Sequence, residues 1–352
     1  MAPELSIIIP YYNRADTIQL VLESVARARG DLRLETILVD DGSVRPAATE
    51  LAGQPWQPDR IIRQENQGLL FARLAGLKAA TGEYVLFLDS DDLVSPDKFA
   101  AQLAVMRQTG ADVSYTDSTV ATLRTPYAAI TVGPGIDSVE DTTDSATFFI
   151  RVQPAPHSPI FLTAWLRPLV TTPLFPPSPS YNPVAEIWFY HVAAPFPAKV
   201  VKVPGPHTIV GRHDGPRLTN HWEKMGVASL AVMEAFDRAC PRTPATHRVR
   251  ALLAEKAFNS WRALPHDFLP EFDRRLLGLW QRNPHGPLRE LGGPRFRVLS
   301  RLLGPSRAGR LMRRLQGRKY RDCRTVADTE VLVGLIGTLP TPRSVPATGD
   351  HD

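Results

Sequence analysis

Cysteine is almost absent from this chain of 352 residues, which holds only Cys240 and Cys323. Two thiols exclude a disulfide framework and any metal-finger spacing, and such sparse usage predicts free thiols in a reducing cytoplasm. Long hydrophobic runs are missing as well. No stretch approaches the ~20 apolar residues that span a bilayer; the longest late candidate, VLVGLIGTL at 331–339, is too short. Glu4 and Pro10 interrupt the N-terminus before a long apolar region forms, so no signal peptide is expected. There is no internal repeat. No Gly-x-Gly-x-x-Gly follows the first apolar run, which argues against a dinucleotide-binding dehydrogenase. Charge is not one-sided either: 41 Lys and Arg stand against 36 Asp and Glu, a mild bias toward anionic partners that names none.

What is present is ordinary globular composition, with 43% hydrophobic residues. Proline is high, 33 residues or roughly twice the usual share, concentrated between 154 and 216 and in the last third. The first 120 residues alternate strand and helix signals. LSIIIPYYN (5–13) is an apolar, β-branched run. Residues 14–29 follow with Ile18, Val21, Leu22 and Val25 at helical spacing. LETILVDDGS (34–43) and DRIIRQ (59–64) read as strands, 68–82 as a helix stopped by Gly82, and EYVLFLDSDDL (83–93) as a strand. SPDKFAAQLAVMRQTG (95–110) reads as a helix with Ser95 as N-cap and Pro96 at its first position, and 111–118 as another strand. Apolar strands alternating with helices predict an α/β protein with a mostly parallel sheet flanked by helices on both faces. Further on, 183–194 reads as an aromatic-rich helix, 197–220 as a short strand pair and a loop, and 221–282 as helical.

Ligands of such sheets bind at the carboxyl ends of the strands. Asn13, Asp40, Asp41, Asp89, Asp91 and Asp92 all fall there. Two strands end in acids. ILVDDGS (37–43) could offer carboxylates to a nucleobase or a ribose, or form an ordinary turn. FLDSDDL (87–93) crowds three carboxylates at the mouth of an apolar strand, where like charges repel. A hard divalent ion such as Mg²⁺ or Mn²⁺ would cancel that repulsion and admit a diphosphate; a helix cap is the plainer reading.

The ordered set SIIIPYYNR, ILVDDGS, NQG, AR, GLKAATGEYVLFLDSDD and FAAQL resembles the N-terminal domain of family 2 glycosyltransferases, strongly over 4–118 and more weakly to about 220. The resemblance implies a GT-A (Rossmann-like) fold and an enzyme moving a sugar from a nucleotide-diphospho-sugar, a UDP-sugar by preference, to a hydroxyl acceptor. The expected acceptor is a glycan or a lipid-linked molecule, the expected outcome inversion with divalent metal assistance, and the expected role polysaccharide biosynthesis. It places Pro10, Tyr12, Asn13 and Arg14 along the nucleotide pocket, with Arg14 a phosphate contact. Asp41 resembles the acid that reads the base, and Arg73 the basic residue near the diphosphate. Asp91 resembles the direct metal ligand, with Asp89 and Ser90 nearer the ribose and Asp89 also a metal ligand. Asp92 would assist or cap the next helix. The general base of an inverting transfer must be a carboxylate in reach of the acceptor hydroxyl; Glu186 in AEIWFYH (185–191) sits where the family carries it, although Trp188, Tyr190 and His191 replace the usual second acid and arginine. Asp117 is the alternative base or an acceptor contact. His213 in IVGRHDGP (209–216) matches a late segment that folds over the diphosphate, as a third metal ligand or a phosphate contact.

The sequence therefore divides into a domain at 1–220, with a donor half at 1–118 and an acceptor half at 119–220. A helical, basic extension at 221–339 and a disordered tail at 340–352 follow. Two rival readings stand beside sugar transfer. One is a nucleotide-sugar-binding or partner-binding module without catalysis, since fold does not fix function. The other is a haloacid-dehalogenase-type phosphatase, with Asp89 as nucleophile and Asp91 as acid/base; two preceding βα units and the absence of its later motifs weigh against it. Between 289 and 324 twelve Arg or Lys face two acids, Glu290 and Asp322, with leucines interspersed. Basic amphipathic stretches lie on anionic membranes, so peripheral contact with the inner membrane surface is expected from a cytoplasmic protein. No nucleic acid is expected, because no stacking-plus-basic motif is present.

Overall fold

The computed structural model describes residues 2–212, 222–264, 269–315, 333–334 and 336–340. The chain divides into two compact units, Met1–Pro216 and Arg217–Asp352.

The first unit is built on a nine-stranded sheet in the order β3-β2-β1-β4-β8-β6-β9-β5, with β7 paired to β6. Its opening half is parallel. The strands β1 (Leu5–Tyr11) and β2 (Leu34–Asp41) are buried at every position, which is why they read as unbroken apolar runs. Parallel pairings join β1 to β2 and to β4 (Tyr84–Phe87), and β2 to β3 (Arg60–Gln64). The later half is mixed. Here β8 (Ile160–Leu162) runs antiparallel to β4 and to β6 (Val113–Thr122). The edge strand β5 (Leu93–Val94) and β7 (Thr131–Asp137) are also antiparallel to their partners. The strand pair expected at 197–220 is instead one long strand, β9 (Val200–Arg212), parallel to β6. Gly205, at φ +107°, lies within this strand, and the register shifts opposite Thr116 and Ser118. The turn signal of Pro204, Gly205 and Pro206 was thus absorbed as an irregularity in the ladder.

Helices cover the sheet: α1 (Ile18–Ala28), the short α2 (Ala47–Leu51), α3 (Leu69–Ala79) and α4 (Lys98–Thr109) come from the opening units. The cap of α4 falls at Asp97 rather than Ser95, whose hydroxyl donates to Asp97 Oδ1 at 2.6 Å. Then come α5 (Ser145–Thr147), continued by a wide turn at Phe148–Val152, α6 (Thr163–Thr171) and α7 (Ala185–Ala193). A core of Ile7, Ile9, Val21, Leu38, Leu86, Phe99 and Leu103 lies between the sheet, α1 and α4.

The second unit is helical: α8 (Trp222–Ala239), α9 (His247–Ala263), α10 (Pro270–Gln281), α11 (Pro294–Leu303) and α12 (Pro305–Leu315). Inside it Asp237 accepts from Arg282 Nε at 2.5 Å and from Asn283 Nδ2 at 2.9 Å, and pairs with Arg250. Burial pushes its carboxyl up, but these donors outweigh that and hold it below the ordinary range. Residues 341–352, read as a tail, lie outside the described residues.

Candidate active site

The parallel strands end on one rim, and each delivers a polar residue there. Asn13 follows β1 in a left-handed conformation, φ +52°, which Asn tolerates better than most residues. Its backbone N–H donates to Ser43 Oγ at 3.1 Å, and its side-chain oxygen accepts from Val44 N at 2.9 Å. The tips of β1 and β2 are thereby tied together. Pro10 is buried within β1 opposite Val39, while Tyr12 is half exposed.

The paired acids of β2 have separate duties. Asp40 is buried and accepts from Ser43 N and Ala47 N, each at 2.9 Å, and from Arg63. Burial pushes its carboxyl up, yet these donors keep it below its usual value. Ala47 opens α2, so Asp40 anchors that helix. Asp41, resembling the base reader, accepts from Gln64 Nε2 at 2.8 Å, Gln67 N at 2.9 Å and Gly68 N at 2.7 Å. Its carboxylate shapes the turn that enters α3.

The DSDD segment follows β4. Asp89 Oδ1 accepts from Arg73 Nη2 at 2.6 Å. Arg73 stands on α3 and is almost wholly buried, where a surface position would leave it in water. Burial disfavours its charge, but Asp89 and Glu186 more than compensate and hold the guanidinium firmly protonated. The second carboxylate, Glu186 Oε2, lies 3.5 Å from Arg73 Nη1. One guanidinium thus joins a residue expected at the donor to the one expected at the acceptor. Burial raises the Glu186 carboxyl above its ordinary range, with Arg73 pulling the other way. Asp91 pairs with Arg14 at 3.7 Å, a distance for charge attraction rather than a hydrogen bond. Ser90 is buried and its carbonyl accepts from Thr17 Oγ1 at 2.7 Å, which fixes the segment to the start of α1.

Asp92 does not cap α4. Its Oδ1 accepts from Gly211 N at 2.8 Å and its Oδ2 lies 3.1 Å from His157 Nδ1. It holds the DSDD turn to β9. The alternative base, Asp117, has its own partners: Lys202 Nζ lies 2.7 Å away and Val139 N donates to the same oxygen at 2.9 Å. His213 lies outside the described residues.

Two contributors were not singled out from sequence. Asn182, in a 3₁₀ turn (Pro179–Val184) that leads into α7, accepts from Leu70 N at 3.0 Å and donates to Gln67 O at 2.8 Å. It caps α3 from the turn that precedes α7. Its tip packs so tightly on Gly68, at φ +93°, that a β-carbon there would collide with the Asn182 amide. An Asn-Pro dipeptide is a turn signal, and it was the only available hint. His157 is fully buried behind the DSDD turn, and burial together with the nearby Lys98 pushes its pKa down to about 3. A lone histidine among prolines gave no signal.

Residues 6–125 match the sequence profile of glycosyl transferase family 2. EpsH of Bacillus subtilis is 39% identical over 98 residues, 27% of this chain and 28% of that protein. The succinoglycan biosynthesis protein ExoO of Rhizobium meliloti is 34% identical over 122 residues, 34% of this chain and 35% of that protein. The matched segment thus spans about a third or less of these relatives. The S. aureus TarS 1–349 structure in complex with UDP-GlcNAc covers 92% of this chain and 93% of its own, with a TM-score of 0.63 and 17% identity, which shows a shared fold. The sheet and its flanking helices form a GT-A fold, and residues 6–125 are similar in sequence to glycosyl transferase family 2.

Proposed function

We propose that the chain transfers a sugar from a UDP-sugar to a hydroxyl of a glycan or lipid-linked acceptor, with inversion. The observation that carries this reading is the Asp89–Arg73–Glu186 bridge, with contacts of 2.6 and 3.5 Å. Inverting transfer needs donor-binding groups and a carboxylate base on opposite sides of one anomeric carbon, and here both kinds of carboxylate flank a single side chain. A protein of the same fold with UDP-GlcNAc bound, and a relative named for succinoglycan biosynthesis, support the donor and acceptor classes.

In this reading Glu186 takes the acceptor proton as the hydroxyl oxygen bonds to the anomeric carbon, and the bond from that carbon to the diphosphate oxygen breaks to release UDP. Its raised pKa makes it a stronger base than an exposed glutamate, with Arg73 opposing the rise. Arg14 and Arg73 meet the negative diphosphate, and Asn13 and Asp41 shape the nucleoside wall through the turns they hold. Much of the acceleration is positioning and charge stabilisation.

The family implies a divalent ion. Among the described residues no group of three or more His, Cys, Asp or Glu could cage one. Ions at phosphate sites need only one or two carboxylates, the phosphates supplying the rest. Asp91, with Asp89 beside it, fits that smaller donor set, and His213 would be a further ligand. When bound, the ion neutralises charge on the departing diphosphate.

The phosphatase reading loses ground because Asp89, its nucleophile, is committed to Arg73. The test is donor turnover with UDP-sugars and Mn²⁺ or Mg²⁺, on wild type, Asp91→Ala and Glu186→Gln. Metal-dependent transfer lost in both variants supports the proposal. Donor-induced thermal stabilisation without turnover would favour a binding module, and hydrolysis of simple phosphate esters a phosphatase.

A further inference from the structure

The second unit carries a surface that sugar transfer does not use. α11 and α12 both pack on α9 and turn their opposite faces outward. From α11, Phe296 meets Phe258 at 5.9 Å between ring centroids and lies under Arg262, whose guanidinium carbon is 4.0 Å from its ring. From α12, Gly309 sits against Trp261 with no room for a β-carbon. Arg313 stacks on the same indole at 4.8 Å and binds Asp273 of α10 at 2.7 Å. Phe258, Trp261 and Arg262 all belong to α9, so the two helices share one inner side and one outer side.

The outer side is apolar and basic together. Val298 is 56% exposed, Leu302 76% and Leu315 76%, with Leu303 and Leu311 also exposed. Arg295, Arg301, Arg307 and Arg310 are exposed among them. The two helices hold seven arginines and no acid, and Arg313 is turned inward by Asp273. Helical spacing places Val298 beside Leu302, and Leu311 beside Leu315. The arginines flank these pairs rather than forming a separate face.

We propose that the outer face of α11 and α12 docks on an anionic phospholipid bilayer, its leucines entering the headgroup–acyl boundary and its arginines meeting lipid phosphates. The charge calls for an anionic partner, and the leucines choose among such partners. A nucleic acid would engage the arginines and leave the leucines in water, and the exposed arcs offer no aromatic ring for base stacking. No helix among the described residues is long and apolar enough to cross a membrane, so contact would be peripheral. The basic residues from Arg318 to Arg324 lie outside the described residues and are not needed for the argument. The inference stands on the second unit alone and does not depend on the proposed sugar transfer.

The test is co-sedimentation of the full chain with phosphatidylcholine vesicles, with and without phosphatidylglycerol. Wild type is expected to bind only the anionic vesicles. Leu302→Ser/Leu315→Ser should weaken binding about tenfold, and Arg301→Gln/Arg307→Gln/Arg310→Gln about a hundredfold. All five positions are exposed, and an unchanged thermal midpoint verifies each variant's fold. Equal binding to both vesicle types, or none, would overturn the proposal. So would leucine variants that bind like wild type, or a duplex DNA fragment bound with equal affinity and indifferent to the leucines.

Discussion

Gly211 passes against the backbone of Asp91 so closely that a β-carbon would overlap the Asp91 carbonyl oxygen, and would lie 2.8 Å from Leu123 Cδ1. The late strand β9 is thus fitted to the metal-type turn at backbone level, reinforced by Gly211 N donating to Asp92. Gly211→Ala must push the strand and turn apart. The expected cost is about 1–3 kcal/mol, read as a lower urea midpoint at constant slope, with weaker donor binding. An unchanged midpoint would show that the turn is not held this way.

Arg73 is the second target. Arg73→Met leaves Asp89 and Glu186 without their shared cation. Removing one member of a buried pair costs about 3–5 kcal/mol; with both carboxylates about a quarter exposed, roughly 2 kcal/mol is the expectation. Arg73→Lys should restore only part of the loss, because an ammonium cannot reach two carboxylates as a planar fork does. Equal stability of the Met and Lys variants would contradict the bridge.

Glu186 sets a pH dependence. Its carboxyl titrates above the ordinary 4.5 because burial disfavours the charged form. As pH falls through that raised value the base gains a proton, so kcat/KM should drop on an acid limb displaced upward from 4.5. Arg73→Met should move the limb to still higher pH by removing the charge that opposes burial. Stability runs the other way. Between 4.5 and the raised value the folded state holds the extra proton, so stability declines as pH rises, and Glu186→Gln removes that slope. An acid limb that stays in place in the Arg73 variant would argue for a different base.

His157 has the opposite sign from the same physics. Its ring is neutral when folded, with a pKa of about 3, against 6.5 for an unperturbed histidine. Below 6.5 the unfolded chain takes up a proton that the folded one refuses. The stabilisation present above that pH is therefore lost as pH falls, by up to about 1.4 kcal/mol per unit. His157→Phe, or another apolar residue of similar size, should flatten the stability profile between pH 6 and 4. A profile that stays as steep would assign the effect elsewhere.

Much of the parallel half of the sheet was legible because its logic is local. Unbroken apolar runs gave β1, β2 and β4, and acids at their ends gave the rim. The later elements depend on contacts remote in sequence. Asn182 lies 112 residues from Leu70, and Asp92 lies 119 from Gly211. No periodicity encodes such pairs. The strand pair read at 197–220 shows the same limit: Pro204, Gly205 and Pro206 are punctuation in isolation, but parallel pairing with β6 carried the strand through them. Arg73 was found from its motif, while its burial followed only from α7 closing over it.

The Asn182 cap has a consequence for how such a chain could diversify. One side chain from the segment that leads into α7 completes the first turn of α3, and together with the Arg73–Glu186 contact it ties that segment and α7 to α3. Ahead of it Phe175 and Tyr181 are buried against each other, and Phe175 also meets Trp188, so the room for change within residues 172–181 lies at the exposed positions, provided Asn182 still reaches α3. Under the proposed sugar transfer, those positions are where acceptor preference would change while α3 and its cap stay fixed.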